Sequence, residues 1–193
     1  MPRNHHDSGY KELFSYPEFV RQLIEGFFPS EIAELMDFET LTPRSGNYIT
    51  PLFEERFEDA VWSVEIEWQG QRQLAYLFIL LEFQSTVDPR MPLRMLHYTV
   101  CFYEHLIKER HCPPGGPLPP VLPVVLYNGS PRWTAGQDIE QMIQPDLPQP
   151  LRAYQPRQRY YLVDEGRYTD EELTERNSVL SGLFRIENTD PRK

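Results

Sequence analysis

The stretch Leu74-Ala-Tyr-Leu-Phe-Ile-Leu-Leu81 is apolar throughout and runs directly into Glu82-Phe83-Gln84. An apolar run of this length, with no glycine, proline or other turn former inside it, predicts a strand buried on both faces. A charged Glu at the end of such a strand is costly unless something pairs with it. Side chains alternate along a strand, so Glu82 and Gln84 share a face. Upstream, Asp59 opens a second apolar stretch, Asp59-Ala-Val-Trp-Ser-Val64. The polar, glycine-containing Trp68-Gln-Gly-Gln-Arg72 lies between the two and predicts an antiparallel hairpin over 59–68 and 73–83.

The rest of the chain surrounds this hairpin with helical and further strand-like segments. Residues 8–36 read as helix in two pieces, and apolar residues at 19, 20, 23, 24, 27 and 28 make a helical stripe after Pro17. Ser30 is the expected N-cap for Glu31 to Met36, and Thr42 to Gly46 reads as a loop before a strand over 47–53. A long helix is expected over 91–110, with Pro89 and Pro92 near its start. Inside a proline-rich region, Val121 to Tyr127 is strand-like and Asn128-Gly129 is a turn. A last strand over 158–163 closes at Asp164, and Thr169-Asp-Glu-Glu172 has capping-box character, opening a final helix to about Phe184. This order implies an α/β fold, a mixed central sheet flanked by helices, in one domain over 1–193.

At 193 residues the chain is long enough to bury a sizeable core. Its net charge of -10 opposes non-specific nucleic-acid binding over the whole surface, which needs basic patches to displace counterions. No apolar run is long enough for a membrane span, and Met1-Pro-Arg-Asn-His-His-Asp7 has no apolar signal region. Only Cys101 and Cys112 are present, which gives no disulfide framework and points to the cytoplasm. Glycine-rich phosphate loops, Gly-x-Ser-x-Gly elbows and His-Glu-x-x-His helices are absent, which removes the commonest NTPase, esterase and zinc-protease readings.

An Asp, a hairpin, and Glu-x-Gln at a strand end form an arrangement used by metal-dependent nucleases, the commoner form having Lys where Gln84 stands. Asp59, Glu82 and the carbonyl of Gln84 are hard oxygen donors suited to Mg²⁺, and the backbone carbonyl of Phe83 adds another. Such an ion polarises a phosphodiester and lowers the pKa of a bound water. The plain alternative is structural: Asp59 starts a strand and Glu82 pairs with Arg94 or Arg56. Arg94 and Tyr98 share one helix face and are placed to hold a phosphate, or else serve as an ion pair and a core ring. His97, Cys101 and His105 share another face, but three ligands along a straight helix span about 12 Å, too far for one ion. His6, Asp7 and Lys11 read as a frayed terminus, and Asp164 as a cap or a distant site carboxylate.

Six motifs occur in order: His6-Asp7-x3-Lys11-x-Leu13-Phe14, Arg56-x2-Asp59, Leu81-Glu82-Phe83-Gln84-Ser85, Met91-x2-Arg94-x-Leu96-x-Tyr98, Leu118 to Gly129, and Leu180-x2-Leu183-Phe184-Arg-Ile-Glu-Asn188. Together they resemble the Rpn (YhgA-like) recombination-promoting nucleases, also labelled transposases, of the PD-(D/E)XK nuclease superfamily. The resemblance implies a restriction-endonuclease-like core and DNA cleavage dependent on Mg²⁺, or on Mn²⁺ or Ca²⁺. It implies DNA as partner and admits a homodimer. It assigns Asp59, Glu82 and Gln84 to catalysis and Asp59, Glu82 and Phe83 to the metal. It matches Asp164 to a further acidic position, and includes His6, Asp7 and Lys11 in its first motif.

Overall fold

In the computed structural model the apolar run is the central strand of a five-stranded sheet, with neighbours on both sides. The structure describes residues 5–44, 58–82 and 87–189, with the side chains of 5–8, 58, 59 and 82 outside that description. The strands are β1 (Met36–Arg44), β2 (Glu58–Trp68), β3 (Gln71–Glu82), β4 (Val121–Tyr127) and β5 (Tyr161–Asp164), in that spatial order. β1, β2 and β3 pair antiparallel, while β3, β4 and β5 pair parallel. The sheet is therefore mixed, as the order of elements implies.

The hairpin turn is made by Gln69 and Gly70, both at positive φ (53° and 74°), between Trp68 and Gln71. Two central residues of this kind match the twist of the flanking strands. Within β3, alternate residues go to opposite layers. Leu77, Ile79 and Leu81 join one apolar cluster, and Tyr76, Phe78 and Leu80 join the other. Each fully buried aliphatic or Phe side chain contributes about 1.5–3 kcal/mol, so this strand anchors both layers.

The first layer consists of α1 (His5–Leu13), α2 (Pro17–Phe27), α6 (Asp170–Arg176) and α7 (Val179–Thr189). They bury Tyr10, Phe14, Leu23, Ile24, Phe27, Leu173, Leu180 and Phe184 with Trp62, Leu77 and Leu126 of the sheet. Trp62 Nε1 donates to the Phe14 carbonyl at 3.0 Å and ties the end of α1 to β2. The second layer is α4 (Met91–Lys108), whose Met91, Met95, Tyr98, Phe102 and Leu106 pack on Val61, Phe78, Leu80 and Val125. Two short helices, α3 (Ser30–Ala33) and α5 (Gln149–Arg152), lie in connections. Among the described residues, no helix is long and apolar enough to cross a membrane.

Three local expectations are corrected. The helix expected to reach Met36 ends at Ala33, with Pro29 rather than Ser30 at its N-cap. Met36 opens β1, and Thr42 to Arg44 continue it instead of forming a loop. Phe38 and Leu41 pack on the core, and Pro43 is tolerated because β1 is an edge strand, where a missing N–H costs least. The expected single C-terminal helix is two helices, broken at Asn177, whose φ of 46° ends α6 in the left-handed region. The Thr169 capping box is present, with Glu172 N donating to Oγ1 at 3.2 Å. The strand expected over 47–53 lies outside the described residues.

Candidate active site

At one end of the sheet, Glu82 stands opposite Tyr127, and Tyr127 opposite Asp164. These are the carboxyl ends of three parallel strands, the edge outside which open α/β sheets bind ligands. β2 runs the other way, so its first residues lie beside the last residues of β3, and Asp59 pairs with Leu80. Glu82 is two residues beyond Leu80, so Asp59 and Glu82 hold positions of one pleat phase. Diagonal neighbours of this kind sit about 7–8 Å apart. Val61, Phe78, Leu80 and Val125 share that phase and pack under α4. The positions of Asp59, Glu82, Tyr127 and Asp164 therefore lie along the end of the α4 face.

α4 carries a largely buried cationic residue, Arg94. Arg94 Nη1 bonds Asp88 Oδ2 at 2.9 Å, and the Arg94 side chain is only 16% exposed. Asp88 Oδ1 also accepts from Arg90 N at 2.8 Å, which fixes the start of the helix. The ion pair weighed for Arg94 is present, with Asp88 as its partner. Tyr98 is buried, its ring tilted against Phe78 at 5.9 Å, so the ring serves the core.

Asp164 is nearly buried, and its Oδ2 accepts from Trp133 N at 3.3 Å. Trp133 Nε1 donates to Tyr160 Oη at 3.1 Å, and Tyr160 Oη donates to the Gly136 carbonyl at 2.7 Å. Tyr127 Oη donates to the Pro131 carbonyl at 2.8 Å, and its ring meets Trp133 edge-on. The segment after β4 is thus strapped across the strand ends by aromatic side chains. Burial pushes the Tyr160 hydroxyl up to about 12; the Trp133 hydrogen bond opposes this, and the charge of Asp88 adds to it. Asp88 and Asp164 flank the same aromatic cluster.

Behind the sheet end, fully buried Glu165 and nearly buried Asn128 meet the Tyr10 hydroxyl of α1. Burial, then the Glu165 carboxylate, hold that hydroxyl far above the ordinary tyrosine range. Asn188 Nδ2 donates to the Glu165 carbonyl at 3.0 Å, joining α7 to the same point. His6, Asp7 and Lys11 flank Tyr10 on α1, and Lys11 is exposed. They belong to a helix docked on the sheet end, rather than to a frayed tail.

The backbones of Asp59 and Glu82 are placed in their strands, while their side chains lie outside the description; Phe83 and Gln84 lie outside the described residues altogether. Asp88, Trp133 and Glu165 were not singled out from the sequence. Asp88 did carry a signal, an Asx residue before Pro89 at a helix start; Trp133 and Glu165 carried none. His97 Nε2 and Cys101 Sγ are 3.6 Å apart, and burial raises the thiol pKa. Among the described residues, no group of three or more His, Cys, Asp or Glu is placed to hold a metal ion.

Comparison with known proteins gives the same family as the motifs. The chain is 30% identical over 124 residues to "Recombination-promoting nuclease RpnC" of Escherichia coli (strain K12), covering 64% of this chain and 39% of the relative. It is 30% identical over 124 residues to "Recombination-promoting nuclease RpnA" of the same strain, covering 64% and 40%. The chain thus spans about two fifths of the length of these relatives. It is also 26% identical over 95 residues to "Putative inactive recombination-promoting nuclease-like protein YjiP" of that strain, covering 49% of this chain and 88% of the relative. No solved structure matches. The family model described as "Putative transposase, YhgA-like" matches residues 4–187, nearly the whole chain, and the protein belongs to that family.

Proposed function

We propose that this protein is a divalent-metal-dependent DNA endonuclease, linked to recombination or mobile elements, whose site lies at the carboxyl end of β3, β4 and β5. The observation that carries the reading is the register: Asp59 and Glu82 at one sheet end, on one pleat phase, with Asp164 on the same row. The donor chemistry fits Mg²⁺, Mn²⁺ or Ca²⁺, because carboxylate oxygens at strand ends suit hard cations. Asp59 and Glu82 would hold the ion, with the Phe83 carbonyl as a further donor. When bound, it supplies Lewis-acid polarisation of the phosphodiester and a bound water of lowered pKa.

The protein's own groups have distinct tasks in this reading. Gln84 orients the attacking water through its amide but, unlike a neutral Lys, cannot take its proton. Arg94, held by Asp88, gives a positioned cation beside the site for a phosphate. The Tyr98 ring holds that stretch of α4 against Phe78. Asp164, fixed by the Trp133 backbone, adds negative charge at the far end of the row and favours cation capture over direct phosphate contact. His6, Asp7 and Lys11 stand on a helix pinned to the sheet end through Tyr10. Two free cysteines, Cys101 and Cys112, suit a cytoplasmic setting.

A second reading is a module of the same fold that binds without cleaving. The relative named inactive and the Gln in the Lys place favour it. Incubation with supercoiled plasmid and Mg²⁺, Mn²⁺ or Ca²⁺ separates the two. Nicking by wild type that disappears in Asp59→Ala supports the nuclease. A wild type inert with every metal, yet retarding DNA in a gel, establishes the binding module instead.

A further inference from the structure

α4 carries two apolar rows, and only one is under cover. Met91, Met95, Tyr98, Phe102 and Leu106 are buried against the sheet. Leu93, Val100 and Ile107, seven residues apart, are 49%, 47% and 57% exposed. Half-buried Leu96 and Tyr103 fill the positions between them. The resulting alternation of three- and four-residue steps is the a/d pattern of a coiled coil. At 3.6 residues per turn the five fall within an arc of about 80°, centred roughly 140° from the buried row. The Tyr103 hydroxyl donates to the Pro119 carbonyl at 3.1 Å, so Leu118, itself 45% exposed, extends this apolar surface.

We propose that this seam pairs with the same seam of a second copy of the chain, antiparallel, in a two-fold dimer. The seam is self-complementary in that orientation. With Val100 set against the partner's Tyr103, Leu96 falls against the partner's Ile107. The two-fold axis repeats both contacts, giving four consecutive a/d layers, with Leu93 beyond them at the end of the seam. Hydrogen-bond complementarity supports the same orientation, an imidazole N–H facing a carboxylate oxygen. The seam is flanked on its open side by His97 and Glu104, both exposed. Antiparallel packing places flanking positions of this type opposite one another, so His97 meets the partner's Glu104 twice. It also sets the helix dipoles head to tail. An 18-residue helix is about 27 Å long, so the seam alone buries less than the roughly 1,200–2,000 Å² of a standard interface. The dimer is accordingly weak, with a dissociation constant in the micromolar range. This inference stands apart from cleavage and holds for either reading of the function.

Sedimentation velocity from about 1 to about 300 μM tests it, against the micromolar scale on which a weak dimer dissociates. Wild type should pass from monomer to dimer over this range. Val100→Glu/Ile107→Glu should raise the dissociation constant at least about 100-fold, because charge is placed in the desolvated seam. Both positions are about half exposed, so melting by circular dichroism should stay close to wild type. A charge exchange beside the seam gives an independent measure. His97→Glu alone should weaken the dimer, by facing the partner's Glu104, and adding Glu104→Lys should restore it. A monomer at every concentration overturns the proposal, as does a dimer indifferent to Val100→Glu/Ile107→Glu. A double charge variant no tighter than His97→Glu overturns the antiparallel pairing.

Discussion

The face of the sheet that carries Trp62, Leu77, Ile79 and Leu81 is covered by α1, α2, α6 and α7, and buries the larger apolar cluster. The opposite face, with Val61, Phe78 and Leu80, is covered by α4 and, towards one end, by Trp133 and Tyr160. Buried aliphatic and aromatic contacts dominate the first. At the strand ends the second gives way to Asp88, Arg94 and Asp164, held by hydrogen bonds. A face with four helices can lose a contact and still be packed against neighbours. A face with one helix leaves room at its end for charged groups and a substrate. Stability should therefore depend chiefly on the first face, and chemistry on the end of the second.

The largest expected effect tests the chemical half. Glu82→Gln should lower single-turnover cleavage of a labelled duplex by about 10³-fold or more, since each 1.36 kcal/mol of lost transition-state stabilisation is about tenfold. Its melting temperature should stay near that of wild type. Gln84→Lys should keep or raise the rate, because a Lys can stabilise the scissile phosphate. Full activity in Glu82→Gln would remove this end of the sheet as the site. On the other face, Leu77→Ala should cost about 2–5 kcal/mol in urea denaturation through lost burial and a cavity. Cleavage at low temperature should survive it. Simultaneous loss of rate would mean that the two faces are not separable.

Two tyrosines near the strand ends, one behind each face, give a smaller contrast. Burial raises both Tyr10 and Tyr160, Tyr10 further because it is more deeply buried and the Glu165 carboxylate lies against it. A tyrosine raised in the folded state ionises first in the unfolded chain. The stability it holds is complete below the unfolded value and falls as pH rises through the folded one. For Tyr160 that window runs from 10.0 to about 12. Tyr160→Phe and Tyr10→Phe should each flatten the alkaline limb of stability against pH from 10.0 upward, Tyr160→Phe only as far as about 12 and Tyr10→Phe beyond it. A Tyr10→Phe effect that ends at the same pH as that of Tyr160→Phe would show that the deeper burial and the carboxylate around Tyr10 add nothing. The smallest effect belongs to the exposed pair between α6 and α7. The Arg185 hydrogen bond lowers the pKa of Asp170. Its contribution is present above the usual carboxylate range and is lost as pH falls through the lowered folded value. Asp170→Asn should slightly reduce the slope of acid unfolding, and an unchanged slope would show that the pair contributes nothing.

The hairpin was legible because every signal for it is local. Leu74 to Leu81 has no turn former, Gln69-Gly70 supplies the positive φ values, and β2 mirrors β3 residue by residue. Asp59 and Glu82 were placed at one end by that hairpin and by pleat alternation alone. The α4 stripe and the Thr169 capping box were legible for the same reason. Met36 was misread because a short helix and an edge strand both accept Met-Asp-Phe, and pairing with Ile66 decides between them. The break at Asn177 carried a local signal, since Asn tolerates the left-handed region that ends a helix, but the apolar spacing running on through Leu180 and Phe184 masked it.

By itself the sequence determined the β2–β3 hairpin, α4, β4, the mixed sheet and the end of β3 at which a carboxylate must be accommodated, but not β1 or the break between α6 and α7. Periodicity, turn chemistry and caps act over a few residues and can be read where they stand. Only the tertiary structure decided that Asp164 lies on the row of Glu82 through Tyr127, that Asp88 holds Arg94, and that Glu165 is buried against Tyr10. Parallel pairing leaves its register unmarked in either strand, because the crossover that sets it is long. The environment of a carboxylate depends on which distant groups fold against it, so burial can separate consecutive residues such as Asp164 and Glu165 into different networks.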